Sequence, residues 1–132
     1  MIFVDTSALR AKFDRDDKHR EAALPTWRSL ERDGQALFTT NYVVEEIVTY
    51  LSRASSAAAA ADVGRRLLGS AVVELVRVGP GDEFRALQIM EEIDAELSFT
   101  DATSFAIMRR RGIKAAFTFD GDFAAAGFET IP

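Results

Sequence analysis

The sequence predicts a layered α/β fold with a central, mainly parallel sheet of four to five strands flanked by helices. Two observations lead there. Short apolar runs alternate with longer helical stretches along the whole chain, the pattern of successive βαβ units. Two of those runs, Ile2-Phe3-Val4 and Ala115-Ala116-Phe117-Thr118-Phe119, close on aspartates, Asp5 and Asp120. In an open parallel sheet the crevice for chemistry lies beyond the carboxyl ends of the strands, so acids placed there converge although they are far apart in sequence.

Taken in order, Met1 to Thr6 reads as a first strand and Ser7 to Phe13 as a short helical segment. Asp14, Asp16 and Asp17, mixed with Arg15 and Lys18, make a solvated turn. His19 to Asp33 is helical in composition, with Pro25 as an irregularity or restart and Gly34 as the stop. Ala36 to Thr40 is the second strand, and Asn41 caps a helix from Tyr42 to Arg53. The alanine run Ala57 to Ala61 makes Ala54 to Ser70 a helix, because alanine has the highest helix propensity. Val72 to Val78 alternates as a third strand, Gly79-Pro80-Gly81 breaks the chain, and Asp82 caps a helix through Ile93. Ser98 or Thr100 caps the next helix, which carries Asp101 at its beginning and stops at Gly112. Ala115 to Phe119 and Phe128 to Ile131 complete the strands.

The 132 residues suit a single domain, 1–132, large enough to bury one core unaided. Cysteine is absent, which excludes disulfides, thiolate metal sites and cysteine nucleophiles and points to a reducing, cytoplasmic setting. No apolar stretch approaches the length of a membrane span, so no membrane association is expected. His19 is the one histidine and reads as a surface helix residue among charged neighbours. Sixteen basic against twenty-one acidic residues give a formal net charge of −5, against indiscriminate nucleic-acid binding but compatible with a local basic path.

The chemistry lies in the acids. Magnesium and manganese prefer oxygen ligands, and three or four convergent carboxylates are the usual way a protein offers them. Asp5, Asp101 and Asp120 are three such acids, and a fourth should come from the helix after the second strand, where Glu45 and Glu46 are adjacent. Val43, Val44, Ile47, Val48 and Leu51 define that helix's buried stripe, and the two glutamates flank it at nearly equal angles. Periodicity does not choose between them. The sequence has no phosphate-cradling glycine loop, no Gly-x-Ser-x-Gly elbow and no histidine beside a nucleophilic serine.

Ile2-Phe3-Val4-Asp5-Thr6-Ser7, Thr39-Thr40-Asn41-Tyr42-Val43-Val44-Glu45-Glu46, Leu97-Ser98-Phe99-Thr100-Asp101-Ala102 and Thr118-Phe119-Asp120-Gly121-Asp122-Phe123 together resemble the PIN-domain nucleases. In length the chain is similar to the VapC ribonuclease toxins of VapBC toxin–antitoxin pairs. The resemblance implies a three-layer α/β/α fold and assigns the four family acids to Asp5, Glu46, Asp101 and Asp120. These would hold one or two Mg²⁺ or Mn²⁺ ions, with Asp122 as a further candidate ligand and Thr6 or Ser7 as the supporting hydroxyl. It implies an endoribonuclease leaving a 5′-phosphate and a 3′-hydroxyl, a homodimer, and an antitoxin whose C-terminal segment covers the site. Basic residues near the acid-bearing elements, among them Arg10, Lys12, Arg109 and Arg110, are candidates for contacts along an RNA path.

Three rival readings exist. One is a housekeeping PIN nuclease without an antitoxin; another is a catalytically silent binding module, which loss of an acid would mark. The third, a phosphotransferase with Asp5 as nucleophile, lacks the Asp-x-Asp pattern, because Ser7 stands in the third position.

Overall fold

The computed structural model describes residues 1–93 and 96–132. Five strands, β1 (Ile2–Val4), β2 (Leu37–Thr40), β3 (Val73–Val76), β4 (Ala115–Phe117) and β5 (Glu129–Ile131), form one sheet in the order β3-β2-β1-β4-β5. Every pairing is parallel. The intervening helices are α1 (Thr6–Phe13), α2 (Arg20–Arg32), α3 (Asn41–Ala54), α4 (Ala57–Leu68), α5 (Pro80–Ile93), α6 (Phe99–Arg111) and α7 (Gly121–Ala125). Parallel neighbours need crossovers, and the right-handed rule places α1–α4 over one face and α5–α7 over the other. Accordingly α1 packs on α2 and α3, α3 on α4, and α5 on α6.

The pleat divides the core between these faces. Phe3 and Phe38, paired in register, meet edge to face at 5.3 Å, and Phe3 stacks on Phe123 of α7. Val4 and Phe117 share the opposite face, where Phe117 meets Trp27 of α2. These rings are all buried, which explains why the central strands read as continuous apolar runs rather than alternating ones.

Several boundaries differ from expectation, and the differences are informative. β1 and β4 end at Val4 and Phe117, two residues short, because Asp5 and Thr118 leave the sheet to cap and cross-link at its edge. Thr40, not Asn41, caps α3 by accepting from the Val43 N–H; Asn41 instead accepts from the Val78 N–H and ties α3 to the end of β3. Asp82 lies in the first turn of α5, reaching back to the Gly79 N–H at 3.2 Å. α2 continues through Pro25, where the residue and Glu21, whose carbonyl loses its partner, are both exposed to solvent. The alanine-rich stretch forms a helix separate from α3, restarted by Ser56, whose hydroxyl accepts from the Ala59 N–H.

Candidate active site

The strand order reverses at β1 and β4: the chain moves outward from β1 through β2 to β3, then returns to β4 on the other side. Ligands bind at such a switch point, beyond the carboxyl ends of the strands. Asp5 follows β1 there, and Asp120 follows β4. The second turn of α3 and the first turn of α6 approach the same place and contribute Glu46 and Asp101. The four acids line a single pocket of about 140 Å³ together with Thr6, Ser7 and Arg10.

Asp5 is buried, and three donors converge on its Oδ2: the Ser7 N–H at 3.3 Å, the Ser7 hydroxyl at 2.7 Å and the Thr118 hydroxyl at 2.8 Å. Burial pushes its carboxyl above the usual aspartate range, and these hydrogen bonds oppose the rise. Ser7 also accepts from the Phe119 N–H at 2.9 Å, and Thr118 from the Asp120 N–H at 3.0 Å. The two hydroxyls thereby fasten the loop after β4 to the acid after β1.

Asp101 occupies the first turn of α6, whose N-cap Ser98 accepts the Asp101 N–H at 3.0 Å. A helix N-terminus ordinarily favours a carboxylate. Here burial, followed by the charges of Asp5, Asp120 and Glu46, pushes the Asp101 carboxyl up to about 8. Burial is the larger cause; the part of the rise that comes from the three neighbouring acids reflects negative charge gathered at the site.

Glu46 is half-buried in this pocket, whereas Glu45 is exposed, accepts from the Thr49 hydroxyl at 2.9 Å and lines a different surface cleft. Asp101, Asp120 and Asp122 each offer a carboxylate oxygen within 4.8 Å of the others. The pocket presents hard oxygen donors without histidine or cysteine. Thr6 Oγ1, on its wall, is buried without a hydrogen-bond partner. A divalent Mg²⁺ or Mn²⁺ ion fits this donor set and would relieve both the charge and the orphaned hydroxyl.

A model of the PIN domain family matches residues 2–129. The chain belongs to the PIN domain family. It is similar to the 23S rRNA-specific endonuclease VapC20 of Mycobacterium tuberculosis, 41% identical over 133 residues that cover 99% of this chain and 98% of that protein. The crystal structure of VapC20, described as a sarcin-ricin loop cleaving toxin, superimposes with a TM-score of 0.88 and 38% identity, covering 97% of this chain and 96% of that chain. More distant likenesses extend the fold alone. FitAcB from Neisseria gonorrhoeae gives a TM-score of 0.73 at 16% identity, covering 100% of this chain and 97% of that one. DNA-bound VapBC from Salmonella typhimurium gives 0.70 at 11%, covering 99% and 98%.

Within this PIN domain the cations are distributed differently from the sequence reading. Arg10 is on the wall of the acid pocket, its guanidinium 4.0 Å above the Tyr50 ring and its Nε 3.8 Å from Asp17. Lys12 points elsewhere: its Nζ pairs with Glu31 at 3.2 Å and covers the Trp27 ring. Arg109 and Arg110 lie at the far end of α6, about 12–14 Å along the axis from Asp101 at 1.5 Å per residue. Arg110 is further committed to Asp82 through Nε at 2.8 Å and Nη2 at 3.2 Å. The structure therefore brings Arg10 to the acids and leaves Lys12, Arg109 and Arg110 away from them.

Two features escaped the sequence reading. Thr118 completes the seat of Asp5, and the only available signal was its place two residues before Asp120 at the end of the apolar run. His19, read as a solvated helix residue, stacks on Phe119 with ring centroids 4.4 Å apart and planes 7° from parallel.

Proposed function

We propose that this PIN domain is a divalent-metal-dependent endoribonuclease acting as the toxin of a toxin–antitoxin pair, with the sarcin–ricin loop of 23S rRNA as the first substrate to test. One observation carries the reading: Asp101 packed among Asp5, Glu46 and Asp120 at the switch point of the sheet, with its carboxyl held at about 8. The similarity to VapC20 supports the substrate class and the toxin role.

Asp5, Glu46, Asp101 and Asp120 would hold one or two Mg²⁺ or Mn²⁺ ions, with Asp122 close enough to join them. A bound ion supplies Lewis acidity toward the phosphodiester oxygens and a lowered pKa for water. The chain's own contribution is orientation. Ser7 and Thr118 fix the Asp5 carboxylate, the α6 cap fixes Asp101, and Arg10 offers the phosphate a cation at the edge of the acids. With the Asp101 carboxyl pushed up to about 8, the acid cluster favours holding a proton near neutral pH, and a bound cation would favour its release. An antitoxin segment that covers this pocket would meet four acids and is expected to present a cation to them; a homodimer is the expected assembly.

The test is cleavage of a sarcin–ricin stem-loop RNA by purified protein with Mn²⁺ or Mg²⁺, with EDTA, and by Asp5→Asn. Cleavage that requires both metal and Asp5 supports the reading; full metal-stimulated cleavage by Asp5→Asn overturns the site. No helix among the described residues is long and apolar enough to cross a membrane.

A further inference from the structure

Beside the acid pocket a second cleft of about 360 Å³ opens, sharing Ser7, Arg10 and Asp120 with it. Its far wall is the stacked pair of His19 and Phe119, both half-buried, with Lys18 exposed at its edge. The pair is fixed at both ends. The His19 N–H donates to Asp17 Oδ1 at 2.8 Å, and the Phe119 N–H donates at 2.9 Å to the Ser7 hydroxyl that itself donates to Asp5. Phe119 also directly precedes Asp120. Two aromatic rings are thus held in fixed register with the acids, partly open to solvent and flanked by Arg10 and Lys18.

Aromatic faces bordered by cations are how proteins hold single-stranded nucleotides, the rings stacking on a base and the cations meeting the backbone. We propose that this cleft seats the nucleotide adjoining the scissile phosphate, its base against the His19–Phe119 pair and its phosphate held by Arg10 and Lys18. Neither ring touches the reacting atoms. They position the strand so that the neighbouring phosphodiester reaches the acids, and they give the enzyme a preference for an unpaired base at that one position. A flipped or looped-out nucleotide fits the cleft; a nucleotide stacked within a duplex does not.

This inference rests on the ribonuclease reading, and the experiment separates the two. Cleavage kinetics are measured on a sarcin–ricin stem-loop RNA and on copies carrying one abasic nucleotide at each position beside the cut, with wild type, His19→Ala and His19→Phe. His19→Ala is expected to raise KM about 10- to 100-fold with kcat little changed, the loss being restored by His19→Phe. At one abasic position wild type should show the same rise in KM, and His19→Ala should add nothing further. An unchanged KM in His19→Ala, or a loss that is equal at every abasic position, overturns the assignment. Absence of any cleavage by wild type would fall on the ribonuclease reading instead. The stacking assignment is then decided by anisotropy of the labelled RNA in EDTA: His19→Ala must weaken binding and His19→Phe restore it, and equal binding by all three proteins refutes it.

Discussion

The Thr118 hydroxyl lies 2.8 Å from Oδ2 of Asp5, across 113 residues of sequence. The contact exists because β1 and β4 are parallel neighbours in register, Val4 opposite Phe117, so the residues that follow each strand emerge side by side. It ties the geometry of the first acid to the segment that carries Asp120.

Thr118→Val keeps the shape and removes the donor. Loss of a buried hydrogen bond to a carboxylate should cost about 1–3 kcal/mol of stability, measurable by urea unfolding. Because this donor lowers the Asp5 pKa, its removal should also move the acid limb of the cleavage profile to higher pH. A variant with wild-type stability and an unmoved profile would show that Ser7 alone seats Asp5.

The Asp101 carboxyl titrates at about 8 in the folded metal-free protein against 3.8 for an unperturbed aspartate. Between those values the folded state binds more protons than the unfolded one, so this group's stabilising contribution is complete below about pH 4 and is lost as pH rises through 8. Thermal melts in EDTA should therefore show stability falling across this window, by on the order of a few kcal/mol. Asp101→Asn should flatten the fall, and Mn²⁺ should raise the melting temperature of wild type above pH 7 but not that of the variant.

The two adjacent glutamates should separate cleanly. Glu46→Gln is expected to reduce cleavage on the order of 100-fold, as loss of a charge from the acid cluster proposed to hold the metal should. Glu45→Gln, altering an exposed side chain outside the acid pocket, should leave kcat and KM at wild-type values and stability within about 0.5 kcal/mol. Steady-state kinetics of the pair decide it, and an inactive Glu45→Gln would overturn the placement.

Arg110 should behave as a structural residue. Asp82 is buried, and although burial alone would raise its carboxyl, the Arg110 hydrogen bonds, the Gly79 N–H and the Arg110 charge hold it below the usual aspartate value. Since Arg110 itself is more than half exposed, Arg110→Ala should cost only about 1 kcal/mol at pH 7. That cost should disappear as pH falls through the depressed Asp82 pKa, because the protonated acid no longer needs the cation. KM for RNA should be unchanged, in contrast to Arg10→Ala, for which it should rise. Melting curves followed from pH 7 downward through the acid range, with cleavage kinetics at pH 7, check all three.

Much of this protein is written locally. The apolar runs at Ile2 to Val4 and Ala115 to Phe117, the alanine-rich helix and the stop at Gly112 follow from short-range pattern and propensity, and they define an α/β chain with acids after its strands. Asp5, Asp101 and Asp120 were legible for that reason: a charge that ends or opens an element stands out against its neighbours. The choice of Glu46 came from the family motif, because helical periodicity places Glu45 and Glu46 symmetrically about the buried stripe.

Tertiary structure decided the rest, since convergence depends on strand order and on which helix face packs inward. The order β3-β2-β1-β4-β5 set the ends of β1 and β4 side by side and so joined Thr118 to Asp5. The packing of α3 turned Glu46 toward the acids and Glu45 away from them. The length of α6 carried its basic run to the end opposite Asp101, where Arg110 found Asp82. The stacking of His19 on Phe119 likewise appeared only in three dimensions, because a lone histidine in a charged segment carries no local mark of the ring that the fold sets against it. Sequence fixes what each residue offers within a few positions of itself, whereas the contacts that assemble a site are made between residues tens to more than a hundred positions apart, and their geometry is set by the packing of whole elements.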